Sequence, residues 1–363
     1  MSEIRIAKVR DAMKHRGLDF LLLTPSTDLF WLTGMSGELK ERLTCLVISA
    51  SGVHFIAPEF ELGNQGKEIR SLLICHGWTD GESPFSILKQ IIGSHPQKAA
   101  IGSQVPAWAT LPLLELYPDC AWQDASEIFG GLRAVKDETE YELLKRVHRK
   151  SNTAYLRLLE HDLCGLTELR VQRLLMELLE KEGLDFPGNP IVASGPNSAL
   201  PHHVAGDRLL QDGDLVVVDF GGMERKAGYK ADTTRTFAIK HIPADAREIY
   251  DIVLRANHAA FEAAKPGVPC EDIDRAARAV IENAGYGKFF THRLGHGLGL
   301  DVHEHPYLCR GNMMPLRAGN VCSDEPGIYI PEKYGIRIED TLFIHEGGAE
   351  RLSILDHEFI AIN

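Results

Sequence analysis

The chain has 363 residues, 44% hydrophobic and 25% charged, a globular composition too long for a single core, so two domains are expected. A formal net charge of −12 with no Lys/Arg cluster excludes a nucleic-acid footprint, which needs grouped cations against phosphate. Seven cysteines, at 45, 75, 120, 164, 270, 309 and 322, form no C-x-x-C pair, which fits free thiols in a reducing compartment. The N-terminal stretch MSEIRIAKVRDAMKHRGLDF is charged throughout, without an apolar core of signal-peptide length. LDFLLLT is too short to cross a bilayer, so a cytoplasmic protein with no membrane partner is expected.

Residues 3–16 predict an amphipathic helix with Ile4, Ala7, Val9, Ala12 and Met13 as its apolar stripe and Gly17 ending it. LDFLLLT and RLTCLVIS read as short buried strands, with VHFIAPEFE a further candidate. This alternation predicts a small α/β domain ending near WQDASEIFGGL, and the boundary is placed between 128 and 129. Asp137 followed by Glu140 is compatible with a helix start, and Leu143, Leu144, Val147, Ala154 and Leu156 keep a helical period. Long helices follow, over about 138–160, 167–183, 243–264 and 270–284, between Gly- and Pro-punctuated strands. Helices and strands that do not alternate strictly read as α+β or mixed α/β for residues 129–363.

Five acidic or imidazole side chains in this second part stand at element ends. DGDLVVVDFGG is an apolar strand stopping at Asp219, and GYKADTTRTFAI is its expected hairpin partner, with Asp232, Thr234 and Thr236 on one face and Arg235 on the other. Each Asp taken alone is equally a turn former. THRLGHGLGLDVHEHP gathers His292, His296, His303 and His305 among glycines that let backbone approach a ligand closely, though solvated loop histidines are the plain alternative. Glu325 precedes Pro-Gly, and in GIRIEDTLFI the residues Arg337, Glu339 and Thr341 share a face, which could equally be an exposed ion pair.

In this order, Asp, Asp, His, Glu, Glu resembles the pita-bread metallopeptidases, the family of methionine aminopeptidase, aminopeptidase P and prolidase. The resemblance runs from about residue 130 to the end. TDLFWLTGMSG and ERLTCLVI resemble the N-terminal, creatinase-like domain of the proline-directed branch, and SGPNSALPHH before the first Asp and GHGLGLDVHE around the His also resemble that branch. It implies a creatinase-like α/β domain over 1–128 and a pita-bread catalytic domain over 129–363.

The resemblance further implies two divalent ions held by Asp219, Asp232, His296, Glu325 and Glu339. Oxygen ligands with one imidazole favour Mn²⁺, with Co²⁺, Zn²⁺ or Fe²⁺ as alternatives. Glu325 is implied to be the proton carrier, and His202 and His303 to hydrogen-bond substrate and oxyanion. His292 would line the proline-ring pocket, and Arg337 would support Glu339. The implied partner is a peptide with proline at the second position, and the implied assembly a homodimer. Without metal, the four carboxylates are expected to raise one another's pKa.

Two departures stand out. The two aspartates are 13 positions apart, longer than the usual gap, so MERKAG is expected to make a longer hairpin turn. Strict dipeptidases of the branch carry an arginine at the position of Tyr307, with Arg310 the nearest candidate substitute. Tyrosine cannot make a bidentate charged contact with a carboxylate. The expectation is therefore an Xaa-Pro aminopeptidase acting on longer peptides. The alternatives are an Xaa-Pro dipeptidase, a non-peptidase amidohydrolase and a metal-free binding protein of the same fold.

Overall fold

A computed structural model describes residues 3–64, 72–186 and 188–363. The chain forms two compact units, Met1–Arg133 and Ala134–Asn363. The expected boundary at 128/129 falls inside the helix Ser126–Arg133. That helix belongs with the first unit because Phe129 packs edge-on against Trp31 and Arg133 pairs with Asp28 at 2.7 Å.

The first unit is a mixed six-stranded sheet. Its strands are β1 (Phe20–Leu23), β2 (Cys45–Ser49), β3 (Gly52–Pro58), β4 (Ile74–Trp78), β5 (Lys98–Ile101) and β6 (Ala121–Asp124), in the order β4-β3-β2-β1-β5-β6. Every residue of β1 and β2 is buried, as continuous apolar runs require when both faces are covered. The helix Glu3–Arg16 forms as expected but buries Ile6, Val9 and Met13, leaving Ile4 67% exposed. Positions three and four apart share a helical face, and Ile4 is not on that of Val9 and Met13. TDLFWLT is a further helix, Thr27–Thr33, capped by the Ser26 hydroxyl and closed by Gly34 in the left-handed region.

In the second unit the helix Glu138–Leu158 opens on a full capping box between Asp137 and Glu140. Its buried face carries Leu144, Val147, Ala154 and Leu158, whereas Leu156 of the expected stripe is half exposed. The strands are β7 (Leu184–Asp185), β8 (Ile191–Ser194), β9 (Leu215–Phe220), β10 (Met223–Glu224), β11 (Thr233–Ile239), β12 (Gly295–Gly297) and β13 (Glu304–Leu308). They continue as β14 (Val321–Asp324), β15 (Gly327–Ile330), β16 (Tyr334–Arg337), β17 (Asp340–His345), β18 (Gly348–Arg351) and β19 (Ala361–Ile362). One sheet runs β19-β11-β9-β8 and another β13-β12-β14-β17-β18. Between them stands the bridge of Thr234 to Glu339, with the Glu339 N–H donating to the Thr234 carbonyl at 3.1 Å. Helices Glu138–Leu158 and Glu168–Lys181 share a core with β8, β9 and β11. Helices Ala244–Ala263 and Cys270–Asn283 share another with β14–β17. The helices of this unit pack against its sheets through these two cores.

Two local expectations change. The segment joining β9 to β11 is not one long turn: Met223–Glu224 leaves to pair with β7. At its base Gly221 lies against the Ala231 carbonyl where a Cβ would collide, so the chain can leave and return without disturbing the register of Thr234 opposite Asp219. GIRIEDTLFI is two strands, because β16 pairs with β15 whereas β17 pairs with β14 and β18.

Arg235, on the far face of β11, is buried and donates to the Asp340 carboxylate at 2.8 Å. Arg351 and His357 reach the other oxygen of Asp340 at 3.0 and 2.7 Å. Burial opposes ionisation of Asp340, but Arg235 and His357 hold its carboxyl far below the usual range. Asp340→Ala should cost about 3–5 kcal/mol by leaving buried cations without their acceptor. The expected result is a lower urea midpoint with an unchanged slope, and an unchanged midpoint would refute it.

Candidate metal centre

All nine residues singled out in the sequence line a single cleft of about 630 Å³ in the second unit. Asp219 comes from the end of β9, Asp232 from the residue before β11, His296 from the middle of β12, and Glu325 from just beyond β14. Glu339 lies in the break between β16 and β17. One ligand atom each from Asp232, His296 and Glu339 lies within 4.8 Å of the others.

The acids converge on His296. Its Nδ1 lies 3.1 Å from the Gly297 carbonyl, which can only accept, so Nδ1 carries a proton and Nε2 is the nitrogen turned towards the acids. Nε2 lies 3.2 Å from Glu325 Oε1 and 3.7 Å from Asp232 Oδ2. Acceptors facing acceptors need a proton or a cation between them. Burial, then the neighbouring Asp219, pushes Asp232 well above the ordinary carboxylate range, and burial followed by Asp232 and Glu325 does the same to Glu339. Burial also opposes the charge on Glu325 and on His296, but their mutual contact outweighs it, lowering the acid and raising the imidazole. Four carboxylates and one imidazole, all converging, fit two divalent cations in charge and donor type.

The glycines beside His296 permit this approach. A Cβ at Gly295 would run into the Ser323 carbonyl and one at Gly297 into the His305 carbonyl. Ser323 takes a hydrogen bond from the His296 N–H at 2.9 Å and donates to Glu325 at 3.0 Å. Thr234 donates to Glu339 at 2.7 Å, and Thr341 to the Asp232 carbonyl at 2.9 Å.

Arg337 departs from expectation. Its guanidinium bonds Asp219 at 2.7 Å and Thr234 Oγ1 at 3.1 Å, so it reaches Glu339 only through Thr234. It also donates to the Tyr329 hydroxyl at 2.9 Å, which in turn lies 2.9 Å from His292 Nε2. His292 Nδ1 meets the Arg293 carbonyl at 2.7 Å, leaving this ring with its face rather than a free nitrogen for the cleft. Tyr329 was missed from sequence, because its role depends on the β15–β16 pairing and not on any local motif.

His202 and His303 are exposed, and the His303 ring stands edge-on to His296 with centroids 4.3 Å apart. Burial, then the charges of His296 and Arg293, holds the His303 pKa below its ordinary value. His203 bonds the buried Glu168 at 2.7 Å. His305 packs edge-on against Tyr307.

Residues 142–346 match Metallopeptidase family M24, and residues 5–135 match the Creatinase/Prolidase N-terminal domain. The probable dipeptidase PepE of Mycobacterium tuberculosis is 38% identical over 365 residues, covering 99% of this chain and 96% of that protein. Among solved structures, dipeptidase PepE from Mycobacterium ulcerans superimposes with a TM-score of 0.93 at 36% identity, over 99% of this chain and 97% of its own. Prolidase from Thermococcus sibiricus superimposes at 0.92 with 32% identity over 100% of both chains. The chain belongs to metallopeptidase family M24, and it is a hydrolase with the creatinase-like N-terminal domain and pita-bread second domain that its motifs resemble. Among the described residues no helix is long and apolar enough to cross a membrane.

The loop carrying His202 is anchored by Glu168, which accepts from the Ser194 N–H at 2.8 Å, the Ser194 hydroxyl at 2.7 Å and Asn197 at 3.0 Å as well as facing His203. Burial opposes its ionisation, but these bonds prevail and hold the carboxyl below its ordinary value. A carboxylate with a depressed folded pKa contributes stability that is complete above its unfolded value, about 4.3, and lost as pH falls through the folded one. Glu168→Gln should therefore flatten the acid limb of the stability profile, followed as urea midpoints between about pH 5 and pH 3. An acid limb as steep as that of the parent protein would contradict this role.

Proposed function

We propose that the protein is a dinuclear metal-dependent Xaa-Pro dipeptidase, with Asp219, Asp232, His296, Glu325 and Glu339 as the metal ligands. The observation that carries this reading is His296 Nε2 aimed at two carboxylates inside a cleft lined by all five residues. The named dipeptidases and prolidase that match the whole chain favour dipeptides over the longer substrates suggested by Tyr307. Predominantly oxygen donors with one imidazole favour Mn²⁺, with Co²⁺, Zn²⁺ and Fe²⁺ as competitors. Seven free thiols, four of them buried, support a reducing, cytoplasmic setting, and family likeness supports a homodimer.

Bound in this centre, two divalent ions supply Lewis acidity towards the scissile carbonyl and activation of water. The chain supplies the rest. Glu325, oriented by the Ser323 hydroxyl, takes the proton of the attacking water and delivers it to the prolyl nitrogen. That transfer is essential, because a tertiary amide nitrogen must leave as a secondary amine. His202 and His303 stand in the cleft as donors to the developing oxyanion, worth ~3–4 kcal/mol per donor. His292, held by Tyr329 and next to the Phe290 ring at 5.2 Å, offers an apolar wall for the pyrrolidine.

Mn²⁺-loaded protein should cleave Xaa-Pro dipeptides in preference to Xaa-Pro-Yaa tripeptides, and turnover of tripeptides alone would overturn the dipeptidase assignment. Glu325→Gln should lower kcat by about 10²–10⁴-fold, with metal content measured on the same sample. Full kcat with both ions retained would exclude Glu325 as the proton carrier.

A further inference from the structure

Two cationic side chains line the cleft among the described residues, Arg293 and Arg337, and only one is committed. Arg337 is 2% exposed and spends its donors on Asp219, Thr234, Tyr329 and the Pro201 carbonyl. The guanidinium of Arg293 has no ion pair or hydrogen bond to any described side chain, and its Cζ lies over the Tyr307 ring, 4.6 Å from the centroid, a cation–π contact. Tyr307 is itself fixed. It pairs with His296 across β12 and β13, its carbonyl accepts from Asn312 at 2.6 Å, and the His305 ring packs against it edge-on.

A planar guanidinium resting on an aromatic face keeps its donor edges free, in the geometry that meets a carboxylate bidentately. The wall facing it matters too. With Asp219, Asp232, Glu325 and Glu339 assigned to the metal ions, an anionic substrate group needs a cation that no other group has taken, and of the two lining arginines that is Arg293. Arg310, the other arginine near Tyr307, is exposed and does not line the cleft.

We propose that Arg293, stacked on Tyr307, binds the free C-terminal carboxylate of the substrate and so selects dipeptides. The inference rests on the dipeptidase reading above and adds to it the residue pair that sets substrate length. Tyr307 then acts as the support for the cation and not as a missing one. It is a positioning residue, and Arg293 is the specificity-determining group.

The test compares an Xaa-Pro dipeptide with its C-terminal amide, which differs only in lacking the carboxylate, on Mn²⁺-loaded protein. The parent protein should prefer the acid. Arg293→Met should reduce the acid-to-amide ratio of kcat/KM on the order of 10- to 100-fold. The change should appear in KM for the acid, since a contact made equally in ground and transition states leaves kcat intact. Arg293→Lys, which keeps a point charge without the fork, should retain part of the preference. Tyr307→Phe should keep the preference and Tyr307→Leu should lose part of it, because only the ring face is used.

Metal content and thermal unfolding of each variant separate loss of fold from loss of recognition. If the parent cleaves dipeptides yet shows no acid preference, or Arg293→Met keeps the parental ratio, the carboxylate assignment is wrong while the dipeptidase reading stands. If the parent cleaves no dipeptide, the functional reading itself fails.

Discussion

Like charges held together in a half-dry cleft are the condition around which the second unit is built. Asp219, Asp232, Glu325 and Glu339 converge on one imidazole, and left to themselves they would take up protons or move apart. The backbone does not let them move apart. Asp219 is locked by the β9–β11 register, Glu339 by its bridge to Thr234, and His296 by glycines that let β12 lie against Ser323 and His305. Hydroxyls of Thr234, Thr341 and Ser323 then orient the acids or the backbone carrying them, and a single buried guanidinium offsets part of the charge. The remainder of that charge is what a pair of divalent cations neutralises.

The cleft depends equally on what lies behind it. Period-two alternation sends Thr234 forward to Glu339 and Arg235 backward to Asp340, so neighbouring residues of one strand serve opposite faces. Glu339 and Asp340 divide in the same way. Asp340 gathers Arg235, Arg351 and His357, joining β11, β17, β18 and the C-terminal segment into one ion-paired layer. A buried network of this kind adds little net stability but strongly penalises any rearrangement that strands a charge. Rigidity behind the ligands is therefore obtained from electrostatics at the same strand that supplies the ligands in front.

Much of this is visible in the sequence where periodicity and chemistry coincide. The alternation of Asp232, Thr234 and Thr236 against Arg235 survives into the folded chain, as does the Asp137–Glu140 helix start. What escaped was pairing between segments distant along the chain. Tyr329 joins Arg337 to His292 only once β15 and β16 are paired, and His203 finds Glu168 across 35 positions. The GIRIEDTLFI run looks continuous because its pattern is regular, yet each half has different neighbours and the break falls at the ligand Glu339. In the helix Glu3–Arg16 composition misled the choice of face, since Ile4 and Ile6 are equally apolar and only packing distinguishes them.

The two arginines of the cleft divide the electrostatic work according to how their donors are used. A guanidinium enclosed by four acceptors is part of the framework, and four of its five N–H donors are spent there. A guanidinium over an aromatic ring, without an ion pair or hydrogen bond to any described side chain, keeps its donors for a ligand, and the ring contact restricts its side-chain freedom before any ligand arrives. Seen this way, replacing an arginine by Tyr307 need not discharge the wall of the cleft. The ring gives a neighbouring cation a place to rest, and the charge comes from the segment that leads into the strand beside it.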